Sequence, residues 1–194
     1  MRSCFPASLL LVTVSLLATG LPASSRNSPD AAALARKLDG IEANGKSRRP
    51  DQSPTILTEQ EVNAYLASDQ IQLPAGVQSV KLRAGPGIIT GTAHVDFDRI
   101  REGAHSTNPL LSIFSGVHEV LVVTHSRGEG GQGYVHVDSV SLDGIEVPNF
   151  VLELFVEKYL QPKYPQIGID SRFPLPDRID TATVGQHQIT LTQK

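Results

Sequence analysis

Tryptophan is absent from the chain, and its single cysteine, Cys4, stands ahead of the first apolar run. Once the leader is removed, no disulfide framework, thiolate metal site or cysteine nucleophile remains, so a hydrophobic core has to hold the fold together. Without tryptophan, a carbohydrate platform would have to rest on four tyrosines and a few phenylalanines, which disfavours one. Positive charge is also scarce: 17 basic against 20 acidic side chains leave a net charge of −3, and loss of Arg2 with the leader makes it more negative. That balance lacks the basic footprint of a nucleic-acid binder. Catalytic signatures are missing too. There is no Gly-x-Ser-x-Gly elbow and no His-Glu-x-x-His zinc motif, so hydrolase chemistry would need an unsignalled Ser, His and Asp constellation.

What is present begins with an address. Arg2, the apolar stretch Leu9 to Leu17 and the small residues Ala18-Thr19-Gly20 have the order of a secretory signal peptide. Cleavage is expected after Gly20, with Ala23 as the second choice. The run is short for a transmembrane helix, which needs about 20 apolar residues, although an uncleaved anchor stays open. The expected organisation is therefore residues 1–20 as signal peptide, 21–54 as an N-terminal helix and polar linker, and 55–194 as one domain. The expected location is the periplasm, the cell envelope or the medium. About 170 mature residues suffice for one sizeable core.

In the linker region Ser28, Pro29 and Asp30 form a helix start, and Ala31 to Leu38 continue it until Gly40 and Asn44-Gly45 break it. Arg36, Lys37, Lys46, Arg48 and Arg49 are open to contact with anionic headgroups, but their scatter among acids reads better as a solvated tether. Thr58 and Glu61 form a capping box for a helix over Glu59 to Ala67. Val80 and Leu82 mark one strand. In the next, Ile89, Gly91, Ala93, Val95 and Phe97 alternate with polar residues. Leu110, Leu111, Ile113 and Phe114 form an apolar cluster that reads either as a short core helix or as a membrane-contacting tip. Val117 to Arg127 and Gly133 to Leu142 pair as a hairpin, with a bulge expected near Ser139, where the apolar phase moves from Val135 and Val137 to Val140 and Leu142.

The dominant element is Asn149 to Leu160, apolar around nearly its whole circumference apart from Glu153, Glu157 and Lys158. With Asn149 as its cap, the segment predicts a helix of about three turns that the neighbouring sheet has to wrap. The final hairpin pairs Ala182 and Val184 with Ile189 and Leu191. A helix followed by Leu73-Pro74 and a hairpin is echoed by a helix followed by Leu175-Pro176 and a hairpin. This reads equally as a weak two-unit repeat or as two ordinary strand starts.

Two motifs lose to their context. Gly128-Glu129-Gly130-Gly131-Gln132-Gly133 has dinucleotide-loop spacing, but it joins two strands and no helix follows to meet a pyrophosphate. His94 with Asp96 and His136 with Asp138 share strand faces, and His125 can lie opposite His136. Three or four converging ligands are not signalled, so neither metal nor cofactor is expected.

The Leu57-Thr58-Glu59-Gln60-Glu61-Val62-Asn63 helix start, Val95-Asp96-Phe97-Asp98 and Leu142-Asp143-Gly144-x-x-Val147-Pro148 before an apolar helix resemble bacterial secreted proteins of the LmeA and YpmS type over roughly Thr55 to Thr192. The resemblance implies an α+β fold like that of tubular lipid-binding (TULIP) proteins, a strongly curved antiparallel sheet wrapped around a long apolar helix. It also implies a groove lined by Ile89, Val95, Phe97, Val135, Val137, Val151, Leu154, Phe155 and Tyr159. The expected function is non-catalytic binding or carriage of a lipid or other long apolar ligand. The alternative is a structural or interaction module of the envelope with a dry core.

Overall fold

The computed structural model describes residues 28–104, 115–161, 165 and 167–194. The expected leader and the cluster Leu110, Leu111, Ile113 and Phe114 lie outside the described residues, as does the side chain of Tyr159.

Helix α1 (Pro29–Gly45) starts where the sequence places it, with the Asp30 N–H donating to Ser28 Oγ at 3.2 Å. It does not stop at Gly40. A Cβ there would meet nothing within 4 Å, so this glycine faces open space. It weakens the helix by about 1 kcal/mol without breaking it. The helix runs on because Ile41 is needed below, where it is buried together with Ala31 and Leu34. The helix ahead of the polar linker is thus part of the core, while residues 46–54 stay largely exposed, and two cations of the region are already engaged. Lys37 donates to both Glu61 oxygens at 2.7 Å and to the Ile56 carbonyl, while Lys46 pairs with Glu42.

Strand β1 (Thr55–Thr58) leads directly into α2 (Glu59–Leu66), whose capping box is formed as expected. The Glu61 N–H donates to Thr58 Oγ1, and the Thr58 N–H donates to Glu61 Oε2. Burial by itself would raise the Glu61 pKa, but the hydrogen bonds from Lys37 and Thr58 outweigh it and hold the carboxyl below its usual range. Strands β2 (Val77–Gly85) and β3 (Ile88–Asp96) form the next hairpin. Phe97, expected to close β3, instead opens α3 (Phe97–Ala104). The cause is local: Asp96 Oδ1 accepts from the N–H groups of Asp98 and Arg99 and so caps a helix that the alternation concealed.

Strands β4 (Val117–Glu129) and β5 (Gln132–Leu142) pair along their length. The register shifts between Val123, opposite Ser139, and Thr124, opposite Val137, which places the bulge at the expected position. Gly130 and Gly131 form the turn, with φ of 60° and 76°, the left-handed pair a two-residue hairpin needs. Gly128 meets a different demand. It pairs with Ala182, and a Cβ there would lie 2.6 Å from the Ala182 Cβ.

The short β6 (Ile145–Glu146) precedes α4 (Asn149–Phe155), which passes into a π-helical segment over residues 156–160. Pro148, not Asn149, occupies the cap position, and no side chain caps the helix. β7 (Asp170–Pro174), β8 (Ile179–Gly185) and β9 (Gln188–Gln193) complete the chain. The β8–β9 hairpin has the expected register, Ala182 opposite Leu191 and Val184 opposite Ile189. β7, a strand that the sequence did not announce, pairs with the free side of β5. Pro174 sits at its end on an edge strand, where a missing N–H is tolerated.

The result is an α+β fold with a nine-stranded antiparallel sheet in the order β1-β9-β8-β4-β3-β2, with β5 branching from β4 and carrying β6 and β7. The principal core does not surround α4. It joins Leu34 and Ile41 of α1, Val62 of α2, Leu57, Ala84 and Ile89, and the buried faces of β8 and β9. A second, smaller cluster holds Val95 and Phe97, with Ala93, Ile100, Val120, Leu142 and Phe155 packed around them. The apolar helix expected at the centre therefore lies over the smaller cluster. Its Phe150 is 65% exposed and its Leu154 42%. The helical run covers the expected Asn149–Leu160, seven α-helical residues followed by the π segment, with Glu153 as a polar break in its apolar surface.

Candidate functional site

The expected groove residues separate into groups. Ile89 is buried in the principal core, where its strand neighbour Ala84 and Thr124 across β4 surround it. Val95, Phe97 and Phe155 do come together, in the smaller cluster. Val135 and Val137 are half-buried on β5, opposite Ser126 and Thr124, and belong to neither cluster. Val151 is half-buried, and Leu154 points substantially to solvent. Cross-strand pairing aligns Gly91 with Val122 and Ala93 with Val120, so a continuous apolar band runs between the two clusters. Beside Gly91 the band is packed: a Cβ there would sit 3.4 Å from Leu82 Cδ2.

His118 borders the smaller cluster, edge-on to Phe97 with ring centroids 5.6 Å apart. Its Nδ1 lies 2.5 Å from Asp143 Oδ2, and Nε2 is 3.1 Å from the Ser115 carbonyl. The hydrogen bond to Asp143 raises the His118 pKa against the opposing effect of burial, and the Ser115 carbonyl and the charges of Asp143 and Asp98 add to the rise. The same bond, with the Glu119 N–H, lowers that of Asp143. Each group thereby favours the charged form of the other.

On the other side of the sheet β4, β5 and β7 form a cleft of about 400 Å³. Strand alternation turns His125 and Arg127, Tyr134 and His136, and Asp170 and Arg172 toward it. Register then stacks them in two rows. Arg127 lies opposite Tyr134, which lies opposite Arg172, and His125 opposite His136, which lies opposite Asp170. The guanidinium carbons of Arg127 and Arg172 stand 5.0 and 5.2 Å from the centroid of the one Tyr134 ring. His125 Nδ1 bonds Asp138 and His136 Nδ1 bonds Asp170, each at 2.7 Å. The pairing of His125 with His136 was legible from the hairpin. Arg127, Tyr134 and Arg172 were not singled out, because Arg172 joins them only through β7.

The other titratable clusters offer less. Ser79 Oγ lies 3.0 Å from His94 Nδ1, a cross-strand pair on an exposed face. Among the described residues no carboxylate is hydrogen-bonded to the ring to orient it. Asp96, its sequence neighbour, instead caps α3. Among the described residues no group of three or more His, Cys, Asp or Glu is arranged to hold a metal ion. No described helix is long and apolar enough to cross a membrane. Comparisons with protein-family models, curated proteins and solved structures return no match.

Proposed function

We propose that this is a secreted or envelope-associated, non-catalytic protein that binds or carries a lipid or other long apolar ligand. The observation that carries the reading is the apolar end of the sheet, which the described residues cover less fully than the principal core. Ala93, Val120 and Leu142 stay half-buried there, while Ile145, Phe150 and Leu154 beside them are exposed. An acyl chain laid between Ala93, Val120, Leu142 and Ile145 on the sheet and the residues of α4 would gain about 0.8 kcal/mol for each methylene removed from water. In this reading α4 acts as a cover over the ligand, and the sheet curves around both, as the motif resemblance to LmeA- and YpmS-type proteins suggests. Leu110, Leu111, Ile113 and Phe114 would supply the membrane contact through which ligand enters.

The test is native mass spectrometry of the mature protein purified from its own envelope without detergent, followed by organic extraction. A stoichiometric lipid is expected, and its loss in Leu154→Gln or Phe155→Gln variants that keep the wild-type circular dichroism would place it beneath α4. A protein that is empty and takes up no added lipid would overturn the carrier reading and leave an envelope interaction module with a dry core.

A further inference from the structure

The cleft on the opposite face has no part in that reading. We propose that it is an anion site in which Arg127 and Arg172 together hold the phosphoryl group of a phosphorylated ligand. Both guanidinium groups gather on one tyrosine. Among the described residues neither forms an ion pair with a carboxylate. A guanidinium held over an aromatic ring by cation–π attraction keeps N–H donors for an acceptor.

The nearby acids are already engaged. Asp138 is bonded to His125, and Asp170, the carboxylate lining the cleft, is bonded to His136. Because both imidazoles make these bonds through Nδ1, each has Nε2 on the far side of its ring, where it is available to a ligand. Glu129 lies two residues beyond Arg127 on the same side of β4, and no other acid is close along that strand.

The spacing suits the ligand class. Arg127 and Arg172 rise from the two strands flanking β5, about 10 Å apart at the backbone, and their side chains lean inward to the ring between them. Two forks converging from either side can each place paired N–H donors on a tetrahedral oxyanion. The cleft volume of about 400 Å³ exceeds what a bare phosphate fills, so it suits an esterified phosphate with an organic group resting against Tyr134. A free phosphate ester and a phospholipid headgroup share this chemistry.

The experiment titrates the full mature chain, at low ionic strength, with inorganic phosphate, pyrophosphate and glycerol 3-phosphate. In parallel, phosphatidylcholine vesicles with and without phosphatidic acid are tested by flotation. Saturable binding of a soluble phosphate, or flotation only with phosphatidic acid, is expected and identifies the source. Either should weaken at least tenfold in the R127Q/R172Q double variant and less in Y134F. Amide shifts on adding ligand should centre on residues 127, 134 and 172. Absence of binding in both arms, binding unchanged in the double variant, or shifts centred elsewhere would overturn the proposal. Circular dichroism of the variants checks that these exposed arginines are not needed for folding.

Discussion

Strand β3 carries the same pattern from end to end, yet its two ends have different surroundings. At Ile89 the inner face is closed by α2, β8 and β9, with α1 behind them. At Val95, six residues along, the helical side chains over that face among the described residues are Ile100 of α3 and Phe155 of α4. Alternation reports which face of a strand is inward. How thickly that face is covered depends on which distant segments arrive there. The closed end is also tied by polar contacts. Buried Gln193 donates to the Ile41 and Asp177 carbonyls and accepts from Asn44, so the end of the chain is fastened to α1. The thin end has His118 and Asp143 in an exposed equivalent.

Removing one leucine from each end should give the largest difference. Leu34, fully buried, should cost about 2–5 kcal/mol on replacement by alanine, because a cavity is left behind. Leu154→Ala should change stability by no more than about 0.5 kcal/mol, as at other surface sites. Urea denaturation of both variants measures this, and equal losses would show that the thin end is as much a core as the other.

Two glycines sharpen the same contrast at smaller scale. Gly128→Ala forces a methyl into Ala182 where β4 meets β8 and should destabilise by about 1–3 kcal/mol. Gly40→Ala, on the open side of α1, should stabilise by about 0.5–1 kcal/mol through a better helix and a less flexible unfolded chain. Thermal melts with opposite shifts would support both placements; a loss at Gly40 would mean that α1 is covered on its outer side.

The smallest effect is the pH dependence of the thin end. The folded His118 pKa is raised above 6.5, so its contribution is complete below that pH and declines as pH rises through the folded value. The folded Asp143 pKa is lowered below 3.8, so its contribution is present above that pH and declines as pH falls through its folded value. The pair therefore stabilises most between these limits. The melting temperature should fall as pH rises past 6.5 in the wild type and fall less in His118→Asn; superimposed profiles would show that the contact contributes nothing.

Features carried by neighbouring residues were legible. The Thr58 and Glu61 box, the Ser28 cap, the Gly130-Gly131 turn, the β8–β9 register and the bulge at Ser139 each follow from side chains a few positions apart. The misreadings share a cause of the opposite kind. Phe97 continued an alternation until the Asp96 carboxylate turned the chain into α3. β7 was not among the expected strands, because its Pro174 is tolerated only on an edge and nothing local announces an edge. Of the candidate site, the facing histidines could be read from one hairpin. The two arginines over Tyr134 could not, because Arg172 is brought in by a strand nearly forty residues later in sequence.

Composition, the positions of most strands and turns, and the inward face of the strands that alternation marks were fixed by residue chemistry and short-range geometry. Which helix the core is built on rests on contacts far apart in the chain. α1 and α4 both offer apolar faces, and hydrophobic attraction does not distinguish between them. Long-range partners do. Gln193 and Lys37 tie α1 down through specific hydrogen bonds, whereas α4 has no side-chain cap, leaves Phe150 and Leu154 in solvent and, among the described residues, brings Phe155 to the smaller cluster.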